Sequence, residues 1–432
     1  FEGNFRYDDA MAAIERGVEI AKAADLRFDL EHLHGDVLRS AGHTDQSIEA
    51  FRAALATAPD DTARCRTLIG IAAGLRVLGQ ADETLAILDQ AQPLAAAQDL
   101  PLELARIHQF RGNIAFLNGD VDVCMTEQQQ AMTHAREAGS AEIEAQAYSG
   151  LADGHYMAGR MRSSLRNFDR VLEIARAHDI LSVDAGCVPA VAHTTMFQNR
   201  LVETRQIIVE GLELIRRVGH RRAEVIVRLN LASLLCEFGE ARVGLEESER
   251  AAAIIEQIGA RVWEPLAWSN RGRCLHHLGE PGQAVEAARQ GAELARETSR
   301  ALLGAWCMGI LALVADDPEE RQAALTEGEE MLEGRVVAHC HLWFYRDAMD
   351  ACLRVGDYAA ADRYAGLLED FTRDEPMPWT DFFIARGRTL AAHARTPDDP
   401  DMRKQLTDLR QTARDIHMGS ALPAIERALE SG

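Results

Sequence analysis

The 432-residue sequence contains no apolar run near the ~20 residues needed to span a bilayer. Its first residues, Phe1 to Asp9, carry neither a basic segment nor an apolar core. No membrane span and no secretory leader are expected, and a cytoplasmic location is. Cysteine is scattered: the eight thiols at 65, 124, 187, 236, 274, 307, 340 and 352 form no CxxC pair. That spacing fits buried free thiols in a reducing compartment better than a disulfide framework or a zinc module. Positive charge is scarce, with 46 Lys and Arg against 68 Asp and Glu, a net charge of −22. Such a surface repels phosphate backbones and anionic lipid, so no nucleic-acid partner and no membrane partner are expected. Aromatic residues make up only 6%. The apolar share leans on Ala and Leu without sustained alternation, which favours helix over strand.

Catalytic signatures are also missing. There is no GxxxxGK[ST], no GxGxxG following a strand, no GxSxG and no HExxH. The chain is therefore expected not to be an enzyme and to hold no cofactor. His339-Cys340-His341 is the nearest approach to a metal cluster. On a helix successive side chains turn by about 100°, so these three fan apart, whereas ligand pairs need i, i+3 or i, i+4 spacing. His32 and Asp36 have that spacing, but no third ligand follows, and no metal is expected.

What the sequence does have is a repeat. A small turn residue follows an apolar helical segment at Gly42, Gly79, Gly119, Gly159, Asn199, Gly239 and Gly279. The first interval is 37 residues and each of the next five is 40. Asn stands once for Gly because it also tolerates the left-handed conformation. After a weaker repeat whose turn falls near Pro318, the mark returns at Gly356. Seven positions before each mark sits a small residue: Gly35, Ala72, Gly112, Ala152, Ala192, Ala232 and Gly272, with Met349 breaking the rule in the last repeat. A small side chain there lets a partner helix approach closely. Downstream of each turn comes an amphipathic segment such as QAVEAARQGAELARE, apolar at i, i+3, i+4 and i+7. Each unit reads as two helices. The period predicts an all-α, right-handed α-solenoid of stacked helical hairpins over 1–432, about 432/40 or ten to eleven of them. Within it, 1–25 reads as an incomplete first repeat and 395–432 as capping helices.

These residues resemble the tetratricopeptide repeat family. The match runs through Gly35, Gly42, Phe51, Ala54 and Pro59, through Tyr148, Leu151, Gly159 and Phe168, and through Trp268, Gly272, Gly279 and Ala284. The period of 40 exceeds the usual 34, a longer version similar to the sensor arrays of MalT-type transcription activators and related signalling ATPases. The segment FTRDEPMPWTDFFIARGRTLAAHA (371–394) resembles the distal repeat region of multidomain bacterial class III adenylate/guanylate cyclases that carry an ATPase module. No Asp pair here sits in a strand-and-turn context fit to hold a cyclase's metals. The resemblance therefore implies a non-catalytic regulatory or sensor domain, a fragment attached to an upstream cyclase or ATPase. The alternative is a free-standing adaptor or chaperone-type scaffold that binds peptide segments.

In the resembled family the first helix of each hairpin lines a concave groove. That places Asp36, Asn113, Asp153, His193, Ser233 and Arg273 on the inner wall. Arg39, Phe116, Tyr156, Met196, Cys236 and His276 follow one turn on. Asn230 and Asn270 occupy equivalent places in adjacent repeats and are suited to clamping an extended backbone, and Trp306 opens the next repeat. The expected ligand is a protein or peptide partner, or a small effector, in this groove; self-association into an oligomer is compatible with the array. His276 and His277 are expected to cap a helix C-terminus as cations. The acidic stretch 316–334 is expected to be a solvated face.

Overall fold

From residue 61 to residue 258 a new helix begins every 20 residues. The computed structural model describes residues 24–430 apart from 42, together with 14, 16–18 and 20. The turn expected at Gly42 and most of the incomplete repeat over 1–25 lie outside the described residues. The helices are α1 Ala24–Ser40, α2 Thr44–Thr57, α3 Asp61–Val77, α4 Ala81–Ala97, α5 Pro101–Leu117, α6 Val121–Glu137 and α7 Ala141–Met157. They continue as α8 Met161–Ala177, α9 Leu181–Met196, α10 Leu201–Val218, α11 Arg221–Phe238, α12 Ala241–Ile258, α13 Glu264–His277 and α14 Pro281–Thr298. The last are α15 Ala305–Val314, α16 Pro318–Leu332, α17 Ala338–Val355, α18 Tyr358–Phe371, α19 Pro378–Arg395, α20 Pro400–Asp415 and α21 Leu422–Glu430. No strand occurs among the described residues. The fold is an α-solenoid of stacked helical hairpins.

The rhythm follows from how the connections are made. Helices α3 to α8 have 17 residues each, leaving three for each link. A link that short reverses the chain through one residue in the left-handed region. Gly79, Gly119, Gly159, Asn199, Gly239, Gly279 and Gly356 all have positive φ, as the repeat spacing requires. A second series, offset by 20, closes the other end of each hairpin: Asp99, Gly139, Asp179, Gly219 and Gly259. Most links are sealed by a six-to-one bond back into the preceding helix, such as Asp120 N to Ala115 O (2.8 Å) and Ile180 N to Ala175 O (2.8 Å). Pro318 falls where the weak repeat turns, at the start of α16, with Asp317 capping the Glu319 N–H at 3.0 Å.

The chain divides into two compact units, Phe1–Leu151 and Ala152–Gly432, with the division inside α7. In the first, apolar faces of successive helices bury one another in small clusters, such as Phe51 with Ile48, Ile71 and Leu75. In the second, one continuous core runs from Met161 to Ala421. The small residues seven before each turn do sit at close crossings. A methyl on Gly272 would lie 2.9 Å from Ala284 O and 3.0 Å from Ala288 N, main-chain atoms of α14 with no room to yield.

The second unit also folds back on itself. Trp379 N donates to Phe197 O (3.3 Å). Glu375 takes hydrogen bonds from the Ser163 N–H (2.9 Å) and hydroxyl (2.5 Å). Gly419 packs so tightly on Phe238 O that a Cβ would lie 2.3 Å from it. The segment expected only to cap the array thus also rests against helices some 180 residues earlier, as in the Ser420–Glu237 bond.

The turn chemistry gives a direct test at Gly219, which has φ +77 and nothing within 4 Å of the place a Cβ would take. Gly219→Ala should cost about 1 kcal/mol from backbone strain alone, and Gly219→Asn clearly less. Urea midpoints at constant slope report the difference; equal values for the two variants would contradict it.

Candidate functional site: the inner face of the second unit

The first helices of the hairpins in this unit, α9, α11, α13, α15, α17 and α19, bring the expected inner-wall residues together. They do not line an open groove. His193, Asn230, Asn270, Arg273 and Trp306 are all buried, Asn270 and Arg273 completely. The two asparagines do clamp a backbone, but it is the chain's own. Asn230 Nδ2 donates to Pro189 O and Asn270 Nδ2 to Leu229 O, each at 3.0 Å, and Ser233 Oγ donates to Asn270 Oδ1 at 3.0 Å. Each asparagine therefore ties its helix to the inner helix of the preceding repeat. Asp153 and Tyr156 remain half-buried, and burial pushes the Asp153 carboxyl up to about 7. Asn113 and Phe116 belong to the first unit, where both are half-buried and Asn113 Oδ1 accepts from Gln128 Nε2 at 2.9 Å.

Side chains of α17 and α19 occupy the place the groove was expected to take. Arg273 forks onto Asp347, with Nη1 to Oδ1 at 3.0 Å and Nη2 to Oδ2. Arg346 donates to the same Asp347 Oδ1 (2.8 Å) and to Glu237 Oε2 (3.2 Å). Arg386 Nη1 donates to Asp350 Oδ1 at 2.5 Å. Three guanidinium groups thus meet three carboxylates, with Arg273 also lying over the Trp343 ring at 5.1 Å. Burial alone would push Asp350 up, but Arg386 and Arg346 outweigh it and hold the carboxyl below its ordinary value.

Beside this cluster runs a chain of hydrogen bonds whose polarity is set by its ends. An indole N–H only donates and a main-chain carbonyl only accepts. Trp343 Nε1–H donates to His193 Nε2 (3.2 Å), so His193 Nδ1–H donates to Tyr156 Oη (2.8 Å). The Tyr156 hydroxyl then donates to His339 Nδ1 (2.9 Å), and His339 Nε2–H to Leu302 O (2.6 Å). This order needs both imidazoles neutral. Burial supplies that condition by driving His193 well below its usual range and His339 down to about 4. Trp306 stacks on Trp343 at 5.0 Å and closes the aromatic floor.

A cavity of 660 Å³ opens where α13, α15, α17 and α19 end, with α21 completing its wall. Its lining carries Arg346, Arg354, Arg386 and Arg427 against one carboxylate, Asp350, together with His276, His277 and His393. His276 and His277 were expected to cap a helix as cations. Burial first, and the positive charges of Arg354 and Arg273 next, hold His276 below its ordinary value. Burial, Arg273 and His276 do the same to His277. Both rings are neutral at neutral pH and face the cavity. The acidic stretch is not simply solvated either. Glu320 pairs with Arg289, Glu327 with Arg296 and Glu329 with Arg363, lacing α16 to its neighbours. His339 and His341 do fan apart, the latter stacking on Phe371 at 4.3 Å. Among the described residues no group of His, Cys, Asp and Glu is placed to hold a metal, and all eight cysteines are buried. No described helix is long and apolar enough to cross a membrane.

Residues 33–105 match the Tetratrico peptide repeat family. No curated protein matches the chain in sequence. Among solved structures, a Rap protein complexed with competence and sporulation factor has a TM-score of 0.56 at 12% identity, covering 85% of this chain and 96% of that one. A Signal Transduction ATPase with Numerous Domains from Pyrococcus horikoshii, which carries a tetratricopeptide repeat sensor, has a TM-score of 0.46 at 12% identity. The alignment with it covers 93% of this chain and 55% of that one. At this identity the Rap likeness establishes the fold and nothing further.

The hydrogen-bond chain makes stability pH-dependent with a definite sign. His339 is held down to about 4 against an ordinary 6.5. Between these values the unfolded chain takes up a proton that the fold refuses. The contribution is therefore complete above pH 6.5 and is lost as pH falls toward 4. This one group accounts for about 2 kcal/mol between pH 6.5 and about 5. In urea titrations, His339→Gln should flatten the slope of stability against pH by about one proton; an unchanged slope would contradict the assignment.

Proposed function

We propose that the chain is a non-catalytic sensor and protein-interaction domain of a signalling protein, regulating a cyclase or ATPase module encoded upstream in the same reading frame. The observation that carries this reading is the self-closed inner face of the second unit. Its contacts join residues 74 to 183 positions apart, and they are polar: Arg273 to Asp347, Arg346 to Glu237, Tyr156 to His339. Polar closure is the kind that a competing ligand can replace bond for bond, giving a packed element with two discrete arrangements. A ligand shifts such an equilibrium only by its difference in affinity for the two.

The repeat match and the Rap-like fold support an interaction array. The Rap protein was crystallised in complex with competence and sporulation factor, so an array of this fold holds a bound partner there. Net charge of −22 favours a peptide or small effector over a phosphate backbone. The segment that resembles the cyclase-associated arrays, 371–394, is also the one that supplies Trp379, Phe383 and Arg386 to the closure.

Asp347→Asn, made in the full-length protein, should change nucleotide turnover about fivefold or more by loosening the closure. Residues 1–432 alone should neither bind a nucleotide tightly nor hydrolyse it. Turnover by residues 1–432 themselves, or full-length turnover indifferent to Asp347→Asn, would contradict the proposal.

A further inference from the structure

We propose that the 660 Å³ cavity at the ends of α13, α17 and α19 binds a small organic anion, its phosphate or carboxylate group held by Arg386, His276, His277 and Arg427 and its apolar body resting on Leu313, Leu390 and Pro423. This inference rests on the reading of the second unit as an effector-sensing array and names the effector's chemistry.

The first support is a surplus of donors. Arg386 spends Nη1 on Asp350, while its Nη2 and Nε reach no acceptor among the described residues. The neutral rings of His276 and His277 each carry one N–H, and neither bonds to a described residue; the Tyr358 hydroxyl is likewise unbonded. The one carboxylate in the lining, Asp350, already answers Arg386 and sits 3.8 Å from Arg346 Nε. A site rich in donors and poor in acceptors is completed by an oxyanion, and the guanidinium fork suits phosphate and carboxylate equally.

The second support is the local charge. The chain as a whole is at −22, yet around this cavity Asp347, Glu237, Asp350 and Asp316 are each already engaged by an arginine, which leaves no carboxylate to answer the remaining donors of the lining. The largest charge acting on His276 is that of Arg354, and on His277 that of Arg273, so the positive contributions lead at both rings. Four inner helices end here, each bringing about half a negative charge from its carbonyls. Those carbonyls are largely answered: Glu280 N binds Leu275 O, Asp357 N binds Cys352 O, Thr396 N binds Ala392 O, and Arg354 reaches Ala315 O. The third support is the size, which lies within the usual span for small-molecule sites, about 300–1,000 Å³. Apolar Leu313, Leu390 and Pro423 stand beside the charged wall, matching a ligand with a charged head and an apolar body.

Calorimetry on the 432-residue chain with phenyl phosphate, and separately with phenylacetate, tests this and tells the two oxyanions apart. Saturable binding of at least one is expected, with Kd on the order of 0.1–1 mM for so small a probe. His276→Gln and His277→Gln, which break no hydrogen bond among the described residues, should each weaken binding about tenfold while the unliganded protein melts as before. Absence of saturable heat for both probes at ~10 mM, or binding untouched by both substitutions, overturns the inference. Either result leaves the Asp347→Asn test of regulation standing. Conversely, a bound anion alongside turnover indifferent to Asp347→Asn removes the regulatory reading and keeps the site.

Discussion

Everything distinctive in the second unit depends on closing charge inside it. Taking a guanidinium or a carboxylate out of water costs several kcal/mol per ion even after relaxation, and only near-complete pairing offsets that. Arg273, Arg346 and Arg386 meet Asp347, Glu237 and Asp350, three cations against three anions, on four different helices. Because every charge has a counterpart, the six act as one unit: α11, α13, α17 and α19 are held in register with one another or not at all. The aromatic residues reinforce this, since Arg273 and Arg346 lie over Trp343 and Phe383 and so exchange water for ring faces.

From that closure the neighbouring features follow. Once α17 is seated, Trp343 and His339 flank Tyr156 and His193, and a single direction of proton donation satisfies all four. At the far end of the same helices, Asp350 is shared between the charge cluster and the cavity wall, so occupancy of the cavity and integrity of the cluster are physically linked. A repeat array in which the inner wall is both latch and binding wall couples a ligand to the packing of whole helices without a separate hinge.

Much of the fold was legible in the sequence because a three-residue link leaves few solutions. The glycine and asparagine series announced its left-handed turns, and the small residue at Gly272 announced a close crossing that the Ala284 carbonyl confirms. The second series of turns was hidden because Asp99 and Asp179 break the glycine pattern where Gly139, Gly219 and Gly259 keep it. The inner face was legible in placement but not in environment. Asn230, Asn270, Arg273, His193 and Trp306 do share one wall, yet repeat spacing describes neighbours, and the partners that bury them stand up to 150 positions away, as with His193 and Trp343. The sequence does carry a signal of that environment: Trp306, Trp343 and Trp379 recur at intervals of 37 and 36. One large aromatic per repeat on the inner helix is more than an open polar groove has use for, and it marks an inner face that packs against itself.

A double-mutant cycle on Arg273 and Asp347 tests the central claim, that a complete buried charge cluster closes this face. Arg273→Met and Asp347→Leu should each cost about 3–5 kcal/mol, because each strands a buried partner charge. The double substitution should cost far less than their sum, since it removes the charges together. Single costs below about 1 kcal/mol that simply add would contradict the account, and would mean that the two side chains stand in water.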